Sequence, residues 1–392
     1  MNTKILMAPR SYIQGPGALG RIGNHLKPFG IKNPIVMASP SALKMVHDII
    51  EDSLKASGIG NEFIEFRREC TFAEIDRIKK ACLDGKHDAI VSCGGGKAMD
   101  AGRAAAAGFA ITSNGSNVER VDPFGAKVHC VQVPTVAASD AATASSSVIY
   151  NEQGIQTSFV MTRKCPTMVL ADTSIIAGAP VRTLVAGMGD AMATHFEAEI
   201  CRQTGALSVA GGSATRTALM MAKLAFDIVT TQGKAAIEEM QEGTPGPNLE
   251  AVVEANILLS GLGYESCGLA AAHAIAGSLT IIHDRYAHVP YHGELVAFGT
   301  LTQLVMEDRP SDHLERFVAF CKDIGLPTTF DEMGLKEIGD AFLKTVADDA
   351  SRSPMIRSMP KAKAMADADN RYYDPGAIFD CMKKADDFGR HI

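Results

Sequence analysis

Short apolar runs and longer amphipathic segments alternate along the first half of the chain. The runs, which are rich in β-branched residues, occupy residues 34–39, 61–66, 88–93, 128–134 and 167–172. Between the first three runs, apolar residues recur every three or four positions over 41–58 and 71–85, which is the spacing of an amphipathic helix. Strands that alternate with helices in this way are typical of βαβ units on a parallel sheet.

The pattern changes beyond the last of these runs. Long segments rich in Ala, Leu, Met and Glu follow, and they indicate helices rather than strands. Gly178 and Pro180 interrupt the chain where the change occurs. We therefore predict an α/β domain over residues 1–179 and an all-α domain over residues 180–392. The segment 112–127 is longer than most connections in such units, so we expect a surface loop, a flap or an oligomer contact there.

Composition and charge narrow the classes of partner. The 392 residues include 38 Lys and Arg against 45 Asp and Glu, and the resulting net charge of −7 disfavours nucleic acid and anionic membranes. No run reaches the roughly 20 apolar residues of a membrane-spanning helix, and Pro9 and Arg10 interrupt the N-terminus before a signal-peptide core could form. The nine cysteines are odd in number and include no Cys-x-x-Cys pair, so we expect neither a disulfide framework nor a cysteine zinc site. These features predict a cytoplasmic enzyme.

Three consecutive glycines carry the first candidate chemistry. Gly94, Gly95 and Gly96, with Lys97, follow the strand DAIVSC and precede a helix, so backbone N–H groups are expected to face an anion there. The run matches neither G-x-G-x-x-G nor the P-loop pattern. Its place at the carboxyl end of an early strand favours a nucleotide pyrophosphate site, although a tight turn that needs positive φ angles would explain the glycines equally well.

The end of an earlier strand bears on the choice of nucleotide. The run at 34–39 ends in Ser39, where nucleotide-binding folds often have an acid that holds the adenosine ribose. Serine repels a 2′-phosphate less than aspartate does. The choice between NAD and NADP is therefore open.

Three residues of the helical half form a candidate metal site. Asp190 lies in a predicted helix, His273 lies in an almost wholly apolar stretch, and His292 lies at a loop-to-helix junction. One carboxylate and two imidazoles match the three protein ligands of a catalytic zinc, which leaves a fourth position for water or substrate. Each residue alone is more often structural. Thr194 stands one turn after Asp190, whereas His195 is rotated about 140° away from it on a helix.

Several long blocks occur in one order along the chain: APRSYIQGPGAL, CGGGKAMD, PTVAASDAATASSSVIY, APVRTLVAGMGDAMATHFEAE, VEANILLSGLGYESCGLAAAHAI and YHGELVAFGTLTQLV. Together they resemble the glycerol dehydrogenase branch of the iron-containing alcohol dehydrogenase superfamily. The resemblance implies a fold that is also dehydroquinate synthase-like. It has an N-terminal nucleotide-binding α/β domain with a parallel sheet, an all-α C-terminal domain that binds metal and substrate, and an active site in the cleft between them.

The resemblance also implies roles for individual residues. Asp190, His273 and His292 would hold Zn²⁺, and Asp140, which would face the substrate hydroxyls, completes the expected catalytic set. Tyr264 stands where the family has a phenylalanine of the substrate pocket. The cofactor, NAD or NADP, would lie along Ser39, Gly94, Gly95, Gly96, Lys97, Asp100, Thr135 and Ser139.

The reaction implied by the resemblance is hydride transfer between NAD(P) and a small polyol or vicinal diol, with glycerol and dihydroxyacetone as the first candidate pair. Bound zinc would lower the pKa of the reacting hydroxyl. Threonine rather than histidine at position 194 favours zinc over iron. Ala276 replaces a second histidine that family members usually carry, which puts a proton-relay role there in doubt. Family members commonly assemble, so a homo-oligomer is expected.

Three alternatives stay open at this point. They are an NAD- and zinc-dependent lyase resembling dehydroquinate synthase, a dehydrogenase for another polyol, and a cofactor-binding protein without catalytic activity. A lyase for a phosphorylated substrate needs cations in its site, whereas no Lys or Arg occurs from residue 235 to residue 284.

Overall fold

A computed structural model describes residues 3–67, 69–111, 118–120, 128–162, 164–284, 289–336 and 338–392. The segment 112–127, for which we expect a surface loop, a flap or an oligomer contact, lies outside the described residues except for 118–120.

Ten strands precede the helical half. In chain order they are β1 (Tyr12–Gly15), β2 (Pro34–Ala38), β3 (Glu62–Glu65), β4 (Ala89–Gly94), β5 (Phe109–Ile111), β6 (Val118–Arg120), β7 (His129–Pro134), β8 (Ser146–Tyr150), β9 (Gln156–Met161) and β10 (Met168–Asp172). Six of them form one parallel sheet in the order β1-β10-β7-β4-β2-β3. The other four form two antiparallel hairpins, β5–β6 and β8–β9.

The five strands predicted from apolar runs are confirmed as β2, β3, β4, β7 and β10. Five strands were not predicted, namely β1, the short hairpin β5–β6, and the hairpin β8–β9. For β1, β8 and β9 the reason is their composition: β1 reads YIQG and is half-buried along its length, and β8 and β9 read SSVIY and QTSFVM. Strands with so few apolar residues give a weak signal in the sequence.

The central strands are buried on both faces, which explains their continuous apolar sequence. Val36 in β2 pairs in register with Val91 in β4, and Val91 pairs with Val131 in β7. These valines belong to one hydrophobic core, whereas Ile35 and Ile90, which alternate with them, belong to a core on the opposite face. Helices therefore cover the sheet on both sides.

Fourteen α-helices complete the described structure. In chain order they are α1 (Ile22–Leu26), α2 (Pro40–Ala56), α3 (Phe72–Asp84), α4 (Gly96–Ala107), α5 (Thr173–Ala177), α6 (Val181–Thr204), α7 (Arg216–Gln241), α8 (Pro247–Glu254), α9 (Ser260–Cys267), α10 (Ala271–Leu279), α11 (His292–Met306), α12 (Ser311–Ile324), α13 (Asp340–Arg352) and α14 (Pro375–His391). A π-helical turn, Ala255–Leu259, joins α8 to α9.

The predicted fold class is confirmed. The strands end with β10, and the described residues beyond it form helices, turns and loops. The division into domains at residue 179 stays a prediction, although α6 begins close to it. Among the described residues, no single helix is both long and apolar enough to cross a membrane, although one sharply bent pair, Pro247–Cys267 with Ala271–Ile282, meets those two criteria together.

A close approach between α6 and α11 brings distant parts of the helical half together. Gly293 lies at the start of α11, and a Cβ atom built on it would lie 1.7 Å from the carbonyl oxygen of Ala186 in α6. A Cβ atom on Gly189 would lie 2.4 Å from the carbonyl oxygen of Gly293. Only glycine permits backbones to pack this tightly. As a result, the first turn of α11 lies against the middle of α6.

This contact predicts the effect of a single methyl group. Gly293→Ala should lower the free energy of unfolding by about 1–3 kcal/mol, because the rigid backbone of α6 would have to move. Gly20→Ala is the matched control, since a Cβ atom there meets nothing within 4 Å. Urea unfolding measures both variants. Equal stability of the two would contradict the packing described here.

Candidate active site

Three predicted ligand residues meet beside this helix contact. Asp190 comes from α6, His273 from α10, and His292 is the first residue of α11. The Oδ1 atom of Asp190 lies 3.2 Å from Nε2 of His273 and 3.5 Å from Nε2 of His292. One ligand atom from each residue lies within 4.8 Å of the others. We call these three residues the ligand cluster.

Burial and charge set the protonation of the ligand cluster. Asp190 is only 1% exposed, and burial by itself would raise its pKa. Hydrogen bonds to His273 and His292 outweigh burial and hold the pKa of Asp190 below its ordinary value. Burial likewise disfavours a charged His273, but Glu197 and Asp190 outweigh it and raise the pKa of that imidazole. The cluster is therefore a strongly polar site inside an apolar helical core.

Glu197 is a buried partner of the ligand cluster that the sequence analysis missed. Its Oε2 atom lies 2.6 Å from Nδ1 of His273, and its Oε1 atom accepts hydrogen bonds from the N–H groups of Ala270 and His273. The signal available in the sequence was its spacing. Glu197 lies seven residues after Asp190 in one helix, so the two carboxylates share a face.

Thr194 and His195 lie on different sides of α6, as the helical spacing predicts. Thr194 is buried beside the cluster, where its hydroxyl lies 2.9 Å from the hydroxyl of Ser260 and 3.4 Å from the carbonyl oxygen of Asp190. His195 points to another side of the helix. Its ring lies 4.9 Å from the ring of Phe226 in α7.

The loop after β7 brings Asp140 to the ligand cluster. The N–H group of Asp140 donates to Oδ2 of Asp190 over 3.4 Å, and the hydroxyl of Ser260 donates to Oδ2 of Asp140 over 2.9 Å. Burial, followed by the charge of Asp190, raises the pKa of Asp140 to about 8. The predicted substrate-facing carboxylate therefore lies next to the predicted metal ligands.

The π-helical turn Ala255–Leu259 holds this loop in place. Asn256 donates from Nδ2 to the carbonyl oxygens of Ala137, in the loop, and Leu184, in α6. The hydroxyl of Thr143 lies 2.9 Å from the carbonyl oxygens of both Asp140 and Ile257. A π-helical turn leaves backbone carbonyls free for such contacts and is often found at functional sites. Here it connects the α/β half to the helices that carry the ligand cluster.

The glycine turn lies across the same cleft. Gly95 is the N-cap of α4, and Gly94 has a φ of 149°, a value that favours glycine. Cβ atoms on Gly95 and Gly96 would meet their nearest neighbours only at 3.7 and 3.5 Å, so both glycines leave the backbone open to the cleft. The cleft has a volume of about 520 Å³. Its lining includes the predicted residues Ser39, Gly95, Gly96, Lys97, Asp100, Ser139, Asp140, Asp190, Tyr264, His273 and His292.

Comparison with known proteins assigns the family. The sequence model for the iron-containing alcohol dehydrogenase family matches residues 9–173. A glycerol dehydrogenase from Escherichia coli O6:H1 is 36% identical over 390 residues, which cover 99% of this chain and 98% of that protein. A glycolaldehyde reductase from Halobacterium salinarum is 32% identical and covers 100% of this chain and 99% of that protein. The crystal structure of glycerol dehydrogenase from Schizosaccharomyces pombe matches with a TM-score of 0.88 at 32% identity, covering 100% of this chain and 92% of that chain. The chain belongs to the iron-containing alcohol dehydrogenase family.

As a member of this family the protein is an oxidoreductase, as the resemblance of its sequence predicted. The lyase alternative is not supported by these relatives. The structure agrees with that outcome. Among the described residues that line the cleft, Lys97 is the one Lys or Arg, and its Nζ atom is paired with Glu69 at 2.6 Å.

Several predicted cofactor residues besides Lys97 have partners within the protein. Asp100 forms a buried ion pair of 2.7 Å with Arg103, and burial raises its pKa. Ser39 accepts the N–H of Ala42 as the N-cap of α2. Gly94 and Thr135 are buried and hydrogen-bonded to each other through the backbone. Direct contacts of all the predicted cofactor residues with a cofactor stay predictions.

Two of the departures from the family pattern, Tyr264 and Ala276, have different surroundings. Tyr264 lines the cleft, but its hydroxyl is hydrogen-bonded to the hydroxyl of Ser146, and burial raises its pKa well above the ordinary value. The extra oxygen is thus held within the wall of the cleft. Ala276 is fully buried in α10. It belongs to the helical core rather than to the described lining of the cleft.

The contact between the π-helical turn and the Asp140 loop can be tested by a nearly isosteric change. Thr143→Val should lower the free energy of unfolding by about 1–3 kcal/mol, because the carbonyl oxygens of Asp140 and Ile257 lose the single hydroxyl proton that they share. Thr345→Val is the matched control, since that exposed threonine bonds only within its own helix. We expect the control to change stability by less than about 0.5 kcal/mol. Indistinguishable urea unfolding curves would contradict the role given to Thr143.

Proposed function

We propose that this protein uses Zn²⁺ to transfer hydride between NAD(P) and a small polyol or vicinal diol, with glycerol and dihydroxyacetone as the first candidate pair. The observation that carries the proposal is the ligand cluster, which faces the same cleft as the glycine turn. A metal ligand set and a candidate nucleotide site on one cleft are what such a reaction requires.

The donor set and its geometry fit zinc. A tetrahedral zinc with bonds of about 2.0–2.1 Å separates its ligand atoms by about 3.3 Å. The two separations from Oδ1 of Asp190, 3.2 and 3.5 Å, lie close to that value. His292 is 42% exposed toward the cleft, so a fourth position would face the substrate. Thr194 adds no imidazole, which supports zinc over iron.

Asp190, His273 and His292 would hold the metal, and Asp140 would orient the substrate. Bound zinc would supply positive charge that lowers the pKa of an alcohol hydroxyl. Ser260 donates to one carboxylate oxygen of Asp140, and the described residues place no hydrogen bond on the other. That second oxygen can form a hydrogen bond with a polyol hydroxyl. Two hydroxyls on adjacent carbons suit a site that has a metal position beside a carboxylate.

The glycine turn and Ser39 support the nucleotide half of the proposal. The open backbone at Gly95 and Gly96 begins α4, and the N-terminus of a helix favours a pyrophosphate. A nicotinamide supplies the acceptor for the hydride. Ser39 lies at the carboxyl end of the neighbouring strand, and its hydroxyl is 3.9 Å from the position of a Cβ atom on Gly94. This is the position from which a side chain could reach an adenosine ribose.

The relatives support a small hydroxylated substrate. Those compared are named for glycerol and for glycolaldehyde. A phosphorylated substrate is disfavoured because the one described Lys or Arg of the cleft lining, Lys97, is already paired with Glu69. Assembly into a homo-oligomer and a cytoplasmic location stay predictions.

Substitution of the buried carboxylate tests the function directly. Asp190→Asn should lower kcat/KM for glycerol by about 10²-fold or more and should lose bound zinc, because the cluster loses its only negative charge. Asp227→Asn is the control, since that exposed aspartate pairs with Lys223 on the surface. NADH and NADPH formation is followed with glycerol, 1,2-propanediol and 2,3-butanediol, before and after chelation and zinc readdition.

The outcome of that panel separates the alternatives. Oxidation of none of these diols with either nucleotide would contradict the proposed function. Full activity of zinc-free enzyme would contradict the metal assignment alone. Activity confined to a diol other than glycerol would replace the candidate substrate while keeping the reaction class.

Position 39 tests how the enzyme chooses its nucleotide. Ser39→Asp should lower the preference for NADP over NAD by about 10-fold, because a carboxylate repels the 2′-phosphate. Ser39→Asn is the matched control, since it keeps the side-chain oxygen that caps α2 but adds no charge. The ratio of kcat/KM values for the two nucleotides is the measurement. An equal ratio in both variants would show that position 39 does not face the ribose.

A further inference from the structure

We propose that Glu197 is a positioning residue that fixes the imidazole of His273 in the orientation and tautomer that a metal needs. The inference rests on the proposed function, because it requires the ligand cluster to hold zinc. The side chain of Glu197 is not part of the described lining of the cleft.

Glu197 uses both of its oxygens on one neighbouring segment. The side chain is 0% exposed. Oε2 lies 2.6 Å from Nδ1 of His273, while Oε1 accepts the N–H groups of Ala270 at 2.8 Å and His273 at 3.1 Å. In the proposed arrangement the carboxylate of Glu197 accepts at both oxygens, so Nδ1 of His273 is the donor and carries the proton.

The opposite nitrogen of the ring is then the one that can bind a metal. With the proton on Nδ1, the lone pair of a neutral His273 is on Nε2, which lies 3.2 Å from Oδ1 of Asp190. Asp190 and Glu197 are about two turns apart on one face of α6. One helix therefore contacts both ends of the same imidazole. This arrangement fixes the ring in two directions at once.

A purely structural role is the competing explanation. The N–H groups of Ala270 and His273 lie at the start of α10, where the N-cap Ala270 offers no side-chain acceptor. Glu197 therefore also satisfies the free end of that helix. A structural role predicts that variants lose stability but bind zinc normally when folded. A positioning role predicts a loss of zinc affinity that stability does not explain.

Glutamine at position 197 separates these explanations. Gln has one accepting oxygen and one donating amide group. If the Gln oxygen accepts the N–H groups of α10, its amide group donates to Nδ1 of His273. The ring proton then moves to Nε2, where it blocks the metal. If the Gln oxygen accepts a hydrogen bond from His273 instead, the amide group faces the N–H groups of Ala270 and His273. Those two N–H groups then lose their acceptor. The two readouts, zinc affinity and stability, therefore report on different contacts.

The experiment measures zinc affinity of the full chain. Zinc-loaded wild type, Glu197→Gln and Glu199→Gln are titrated with a chromophoric chelator, and urea unfolding is recorded for each apo protein. Glu199→Gln is the matched control, because Glu199 lies in the same helix but pairs with Arg309. We expect a zinc affinity about 10- to 100-fold lower for Glu197→Gln and within about twofold of wild type for the control.

Each outcome has a distinct meaning. A folded Glu197→Gln variant that matches wild type in both zinc affinity and stability overturns the role of Glu197 and leaves the proposed function intact. Wild-type zinc affinity with lowered stability means that the amide oxygen still faces His273, and the position of the ring proton in the wild type then decides: a proton on Nδ1 supports the role, and a proton on Nε2 overturns it. A wild-type chain that binds no zinc overturns the proposed function and this inference with it.

A measurement on the wild type covers the case in which Glu197→Gln does not fold. In zinc-loaded protein labelled with ¹⁵N-histidine, the ring signal of His273 is assigned by its absence from His273→Gln. We expect the attached proton on Nδ1. A proton on Nε2 would overturn the proposal.

Discussion

A buried carboxylate between two imidazoles is the interaction on which the rest of the site depends. Asp190 is almost completely removed from water, and an isolated charge there would be strongly destabilising. His273, His292 and the N–H group of Asp140 surround it and offset that cost. The cluster is stable only while α6, α10 and α11 stay in contact. The chemistry of the site therefore depends on the packing of the helical half.

The α/β half contributes through the direction of its strands. The strands of the parallel sheet all end at one edge, so the turn after β4 and the loop after β7 reach the same cleft. The π-helical turn then ties that loop to the helices through Asn256 and Thr143. A candidate nucleotide site on one side and the ligand cluster on the other are held at a fixed separation by these few buried contacts.

The sequence predicted those features that are encoded locally. Apolar runs identified β2 and β4, and residue type alone nominated Asp190, His273 and His292. Side chains whose roles depend on distant partners were missed. Glu197 reads as an ordinary helical glutamate until α10 is placed beside it, and Asn256 gives no signal before the π-helical turn is seen. Lys97 fits a phosphate contact by sequence. In the fold it is instead paired with Glu69, and α3 and β4 separate the two residues along the chain.

Anomalous X-ray diffraction from zinc-loaded crystals, recorded on both sides of the zinc absorption edge, tests the central claim most directly. The account predicts one strong peak at bonding distance from Oδ1 of Asp190 and from Nε2 of His273 and His292. A zinc peak elsewhere, or a fully loaded crystal with no peak between these three side chains, would contradict it.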